Sequence, residues 1–218
     1  MTRAIIALDG PSGVGKSTTA KRVAQQLGWS YLDTGGMYRA AALAMRRAGV
    51  DLEDREALEA ALAGLHIAQR GTAFFLDGED VSAAIRTPEL SQLASKVAGD
   101  GRIREVLVEQ QRAIGATGGW VVDGRDIGTV VFPDACCKIF LTASPEARAK
   151  RRLTELRAKG AETTLEAVLA DQAQRDHADT TRAVAPLRRA EDATELDSSS
   201  MTLEEVVAWI VNHHRSHR

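Results

Sequence analysis

The chain has 218 residues, 44% of them hydrophobic, with 28 Lys and Arg against 30 Asp and Glu and a net charge of −2. That length suits one sizeable domain, or one core carrying inserts. The balanced charge gives no sign of a nucleic-acid or membrane-surface binder, and no apolar run approaches the roughly 18 residues that span a bilayer.

The first strand-like run, residues 4–8, begins almost at the N-terminus and leaves no room for a leader, so a soluble cytoplasmic protein is expected. It leads into Gly10-Pro11-Ser12-Gly13-Val14-Gly15-Lys16-Ser17, a complete G-x-x-x-x-G-K-[ST] sequence, and residues 18–27 then keep helical spacing up to Gly28. Strand, glycine loop and helix together form a phosphate-binding unit. Glycines allow positive φ and close backbone approach to an anion, and the loop N–H groups point into one concavity at the positive end of the helix. Lys16 is placed to reach β- and γ-phosphates, and the Ser17 hydroxyl to ligate Mg²⁺.

Further strand-like runs follow at 29–32, 120–122, 138–141 and, more weakly, 194–196, with helical stretches between them. The alternation predicts an α/β fold, a parallel sheet with helices on both faces. Asp33-Thr34-Gly35-Gly36-Met37-Tyr38-Arg39 follows the second run and opens a second anion-ready helix N-terminus, with Arg39 one turn in; a simple cap with a surface arginine is the alternative. Two regions interrupt the alternation. Residues 37–101 hold helical stretches at 37–48 and 55–65, then a hairpin of 73–76 and 80–82 around the turn dipeptide Asp77-Gly78. Residues 148–182 are helical and dense in charge; Arg148, Arg151 and Arg152 share a face, which reads as a lid over nucleotide or as a solvated charged face. Such inserts suit an enzyme that must exclude water before transferring a phosphoryl group.

Asp123-Gly124-Arg125-Asp126 ends the run at 120–122, where open α/β sheets bind ligands, so Asp123, Arg125 and Asp126 are expected to face the cleft beside the glycine loop; a solvent-exposed turn is the alternative. Cys136 and Cys137, the only cysteines, are adjacent in an apolar run and suit a buried strand better than a disulfide or metal site. Ser144-Pro145-Glu146 is a helix start, and Thr202-Leu203-Glu204-Glu205 a capping box. Arg175, Asp179 and Arg182 fall on one helical face, as a binding face or a salt-bridge ladder. His213, His214 and His217 are expected in a frayed, solvated tail.

Together these segments resemble bacterial cytidylate kinases over nearly the whole chain. The resemblance rests on the glycine loop, residues 33–39, the insert ending Gly78-Glu79-Asp80-Val81-Ser82, Ile85-Arg86-Thr87, the run 123–134 and Arg182-Ala183-Val184-Ala185-Pro186-Leu187. It implies a P-loop nucleoside-monophosphate kinase fold: a core of 1–36, 102–147 and 183–218, a monophosphate-binding region of 37–101, and a lid of 148–182. It implies transfer of the γ-phosphate of ATP to CMP or dCMP with Mg²⁺ held at Ser17, in pyrimidine nucleotide metabolism, by a monomer. The implied donor contacts are Gly10, Pro11, Ser12, Gly13, Val14, Gly15, Lys16, Ser17, Thr18, Arg151 and Arg157. The implied acceptor contacts are Ser95, Arg104 and Asp126 to the base, Arg175 and Asp179 to the sugar, and Thr34, Arg39, Arg125 and Arg182 to the phosphate. Lys16, Arg125, Arg152 and Arg182 are implied in catalysis. The base contacts make chemical sense: a carboxylate accepts from cytosine N4 and an arginine donates to its acceptor edge, whereas uracil presents an acceptor at position 4. A guanine-nucleotide switch would be expected to carry an Asn-Lys-x-Asp segment, and none is present.

Overall fold

The computed structural model describes residues 3–158 and 160–216. In chain order the elements are β1 (Arg3–Asp9), α1 (Lys16–Leu27), β2 (Ser30–Asp33), α2 (Thr34–Ala48), α3 (Arg55–Ala63), β3 (Ile67–Arg70), β4 (Ala73–Leu76), β5 (Glu79–Asp80), α4 (Pro88–Val97), α5 (Gly101–Gly115), β6 (Trp120–Asp123), β7 (Ala135–Thr142), α6 (Pro145–Ala158), α7 (Leu165–Thr181), β8 (Thr194–Asp197) and α8 (Leu203–Ser216). The chain divides into two compact units, residues 1–31 with 118–218, and residues 32–117.

The first unit is built on a five-stranded sheet of order β2-β6-β1-β7-β8. β1 lies between β6 and β7, parallel to both, and β7 continues in parallel to β8. This explains the unbroken apolar run of β1: a central parallel strand is covered on both faces, and Ile5, Ile6, Ala7 and Leu8 are all buried. Val23 of α1 and Val207, Ile210 and Val211 of α8 pack with Leu8, Ile139 and Leu141 into one core. α1 ends at Gly28, whose left-handed backbone (φ 66°) lets its N–H close onto Ala24 and Gln25. The Thr202 box forms as the spacing predicts, Glu205 N–H to Thr202 Oγ1 (3.2 Å) and Thr202 N–H to Glu205 Oε2 (2.8 Å). Ser144 Oγ likewise caps α6 by accepting from Ala147 N–H at 3.1 Å.

The C-terminal histidines depart from the expected frayed tail. α8 runs to Ser216, His214 is buried against the Trp29 ring, and His213 stacks on Trp209 with centroids 4.7 Å apart. His214 lies one turn on from Ile210 and Val211, on the face packed into the core, and His213 lies one turn on from Trp209, so packing captures both. His217 lies outside the described residues. Cys137 is buried in β7 and neither cysteine is in a disulfide; burial pushes the Cys137 thiol up to about 12.

The second unit gathers α2, α3, α4 and α5 with a three-stranded sheet β3-β4-β5 around Met37, Leu58, Phe74, Ile85, Leu90, Ile103 and Leu107. Gly36 is required here, because a Cβ would sit 2.1 Å from the Phe74 ring. Asp77 and Gly78 both take positive φ (50° and 87°), the hairpin turn that their dipeptide predicts. β5 is only Glu79–Asp80, because Ser82 leaves the strand to hydrogen-bond Asp80 and Phe74. β3 has no counterpart in the sequence reading, since Ile67-Ala68-Gln69-Arg70 lacks alternation. The helix at 55–65 stops at Ala63, before Gly64. The unit extends beyond 37–101 to take in α5, whose apolar residues Ile103 and Leu107 face α2 and α3. Residues 148–182, the expected lid, belong to the first unit.

Candidate active site

At the carboxyl end of β1 the chain turns into the loop 10–17 with Gly10, Gly13 and Gly15 at positive φ (148°, 74° and 99°). Gly10 cannot be replaced without rearrangement, because a Cβ would lie 2.0 Å from the Leu141 carbonyl oxygen. Lys16 opens α1 as a buried ammonium, donating to the Gly10 and Pro11 carbonyls at 2.7 Å each. Burial, and then the nearby Arg125 charge, hold it well below the ordinary lysine range. Anionic oxygens beside this amine favour its protonated form.

Ser17 Oγ donates to Asp123 Oδ2 at 2.7 Å, and Tyr31 OH donates to Asp123 Oδ1 at 2.8 Å. A hydroxyl and a carboxylate side by side are the hard oxygen donors that Mg²⁺ prefers. Among the described residues no group of three or more His, Cys, Asp or Glu is placed to hold a metal alone. Two protein oxygens suffice for a cation that keeps waters and takes phosphate oxygens. The sequence places Asp123 at the cleft beside the loop without naming a partner; the fold shows that partner to be Ser17.

Asp9, the last residue of β1, is buried and accepts from the N–H groups of Ile127 and Gly128, both at 2.8 Å. These begin the π-helical turn Ile127–Val131, so Asp9 ties the base of the phosphate loop to the turn that follows Arg125 and Asp126. Burial outweighs those two N–H groups and raises the carboxyl from 3.8 to about 6. The unfolded state therefore ionises first, and Asp9 costs stability as pH rises from about 4 to 6. Comparing wild type with Asp9→Asn in denaturant at pH 4.5 and 7, the difference should move against the wild type by about 2 kcal/mol. A constant difference over that range would show that Asp9 does not titrate this way.

Arg125 Nε donates to Asp179 Oδ2 of α7 at 2.6 Å. Burial opposes its charge, but the Asp179 carboxylate outweighs burial and holds the guanidinium above its ordinary range. Arg182 caps α7, with Nη2 3.6 Å from the buried Asp126 Oδ1 and Nε on the Ala185 carbonyl at 2.6 Å. Arg175 pairs loosely with Asp171 at 3.8 Å, and burial and Arg125 push it below the usual arginine range. The alternative of a ladder along α7 is not what these contacts form: Asp179 and Arg182 reach instead to Arg125 and Asp126. Lys16, Arg125, Arg175 and Arg182 meet the carboxylates of Asp123, Asp126 and Asp179 at this end of the sheet, so an anion entering here finds cationic donors.

The predicted lid arginines separate. Arg148 is buried, with Nη1 on the Ser12 carbonyl at 2.8 Å and on Asp176 Oδ2 at 2.5 Å. Arg151 reaches the Val14 carbonyl at 3.3 Å, Ser198 Oγ at 3.1 Å and the Ser198 carbonyl. Arg152 pairs with Glu155 at 2.8 Å, and Arg157 is exposed in the last turn of α6. Arg148 and Arg151 therefore do not share one solvated face: their guanidinium groups hold the loop backbone. Thr18 is exposed on α1.

In the second unit, Asp33 caps α2 by accepting from Gly36 N–H at 2.8 Å and pairs with Arg39 at 3.1 Å, and Thr34 is buried in the first turn. The cap forms, and Arg39 is held by the same Asp33 carboxylate that makes it. Ser95 is half-buried on α4. Arg104 is buried on α5, donating to the Ala98 carbonyl at 3.2 Å with its guanidinium 5.5 Å from the Tyr38 ring centre.

A family model described as cytidylate kinase matches residues 6–216. The cytidylate kinase of Pelotomaculum thermopropionicum is 51% identical over 211 residues, covering 94% of this chain and 93% of the relative. That of Syntrophotalea carbinolica is 49% identical over 207 residues, covering 93% and 88%, and that of Pseudomonas aeruginosa 47% over 215 residues, covering 96% and 94%. Among solved structures, a shikimate kinase from Bacteroides thetaiotaomicron aligns with a TM-score of 0.50 at 12% identity over 97% of this chain and 98% of its own, a likeness of fold alone. With a family match over almost its whole length and relatives near half identical, the chain belongs to the cytidylate kinase family.

Proposed function

We propose that this protein is a cytidylate kinase, transferring the γ-phosphate of ATP to CMP or dCMP to give ADP and CDP or dCDP. The observation that carries the reading is the charge at the carboxyl end of the sheet in the first unit. A phosphate loop with a buried Lys16 shares that end with Arg125 and Arg182, so two anions can be held at once. The family match over 6–216 supplies the substrate class.

On this reading residues 10–18 bind the polyphosphate, and Lys16 neutralises charge on its β- and γ-phosphates. Ser17, with Asp123 beside it, would hold Mg²⁺, which would supply charge neutralisation on the transferring phosphates. Arg151, Arg152 and Arg157 act on the donor side. The acceptor is assigned to Thr34, Arg39, Ser95, Arg104, Arg125, Asp126, Arg175, Asp179 and Arg182. An acceptor phosphate oxygen attacks Pγ, the bond from Pγ to the β–γ bridging oxygen breaks, and ADP leaves. The attacking oxygen is already ionised, so no general base is required. Positioning and charge neutralisation carry the catalysis. No helix among the described residues is long and apolar enough to cross a membrane. A cytoplasmic monomer working in pyrimidine nucleotide metabolism fits the reading.

Asp126→Ala tests the base assignment. Losing the acceptor for cytosine N4 should lower the CMP-to-UMP ratio of kcat/KM by about 10- to 100-fold, the worth of one buried polar mismatch. Steady-state kinetics with both nucleotides reads the ratio, and an unchanged ratio would remove Asp126 from base selection.

A further inference from the structure

Asp176 lies on α7 beside Arg175 and one turn before Asp179, but its carboxylate engages the phosphate loop. Oδ1 accepts from Ser12 N–H at 2.9 Å and Oδ2 pairs with Arg148 Nη1 at 2.5 Å. The same Nη1 donates to the Ser12 carbonyl at 2.8 Å, and Arg148 Nε donates to the Ala143 carbonyl at 3.2 Å. The ring closes on itself: Ser12 N–H, Asp176, Arg148, Ser12 C=O. One turn earlier on α7, the buried Gln172 donates to the Arg148 carbonyl at 3.4 Å and covers Gly13 so closely that a Cβ there would lie 2.1 Å from its Nε2.

A peptide group is planar, so its carbonyl and the next N–H point in opposite directions. Fixing the Ser12 carbonyl on Arg148 therefore fixes the aim of the Gly13 N–H, one of the loop's donors. Gly13 at φ 74° has the freedom to turn away without that restraint. Arg148 alone would be a buried cation held only by carbonyls; the Asp176 carboxylate makes it a charge-neutral brace. α7 is also the helix whose Asp179 holds Arg125.

We propose that Asp176, acting through Arg148, is a positioning residue that aims the phosphate loop at the donor nucleotide, so that donor binding depends on the docking of α7. This rests on the reading that the loop holds ATP. It assigns Asp176 no contact with substrate.

The test compares wild type, Asp176→Asn, Asp176→Ala, Arg148→Ala and the double alanine variant. ADP binding is measured by calorimetry, thermal midpoint by scanning, and turnover with ATP and CMP by steady-state kinetics. Losing a charge-assisted brace should weaken ADP and lower kcat by about 10- to 100-fold in Asp176→Ala, with the KM for CMP within about threefold of wild type. Asp176→Asn keeps an acceptor for Ser12 N–H and the same shape, so it should recover part of the loss. The double variant should be no worse than the worse single one, as for two members of one unit. ADP affinity unchanged in Asp176→Asn and Asp176→Ala would reduce the pair to ordinary packing and overturn the proposal. Tighter ADP binding would overturn it too, by showing the contact to be a latch that opposes the donor. A wild type that binds ADP but does not phosphorylate CMP would sink the proposed function, and the ADP-binding comparison would still decide the role of Asp176.

Discussion

Replacing Lys16 with alanine is expected to lower kcat by about three orders of magnitude, some 4 kcal/mol of barrier. The ammonium is buried at the N-terminus of α1 with its two loop carbonyl partners, in a setting where water cannot replace its charge. Charge on the β–γ bridge grows as Pγ departs, so the interaction is stronger in the transition state than in bound ATP, and kcat should fall far more than the KM for ATP rises. The fold should survive, because the side chain bridges carbonyls of one loop and contributes little apolar packing. Lys16→Ala with wild-type turnover, measured by coupled ADP release, would contradict the donor assignment.

Arg182→Ala carries the second large effect, a drop of about 100- to 1,000-fold in kcat/KM for CMP with the KM for ATP within about threefold. Arg182 is fixed by the Ala185 carbonyl and faces Asp126 at 3.6 Å, at the end of α7, so it meets its ligand already oriented. Arg182→Lys keeps the charge but loses the planar fork that grips two phosphate oxygens, so it should recover only part of the loss. A variant that lost ATP affinity instead, read by separate titrations of the two substrates, would place Arg182 on the donor side.

Much of this molecule is written locally. Residues 4–8 read as a buried strand because they are apolar throughout, and Ile5 to Leu8 are covered on both sheet faces; 138–141 reads as one because Ile139, Phe140 and Leu141 follow Lys138 without a break. The Ser144 and Thr202 caps and the Asp77-Gly78 turn follow from contacts three residues or fewer apart. β3 was not legible because its pairing with β4, not its own pattern, makes it a strand. The burial of His214 and the stacking of His213 depend on Trp29 and Trp209. The same limit applies at the site. Lys16 and Ser17 are visible in a motif, but the partnership of Ser17 with Asp123 spans 106 positions and that of Ser12 with Asp176 spans 164. Asp9 carried a faint signal, a carboxylate closing an otherwise apolar strand just before Gly10. Arg148 was legible only as one arginine of a lid or a solvated face, because a helix face rich in arginine reads the same whether it faces solvent or a loop carbonyl.

The central claim is that the anion opposite the donor is a cytidine monophosphate, and ADP release by the wild-type protein measures it directly. With Mg²⁺ and ATP held constant and CMP, dCMP, UMP, AMP, GMP and shikimate supplied one at a time, CMP and dCMP should give the highest kcat/KM. A higher value with any of the other four acceptors would contradict the account.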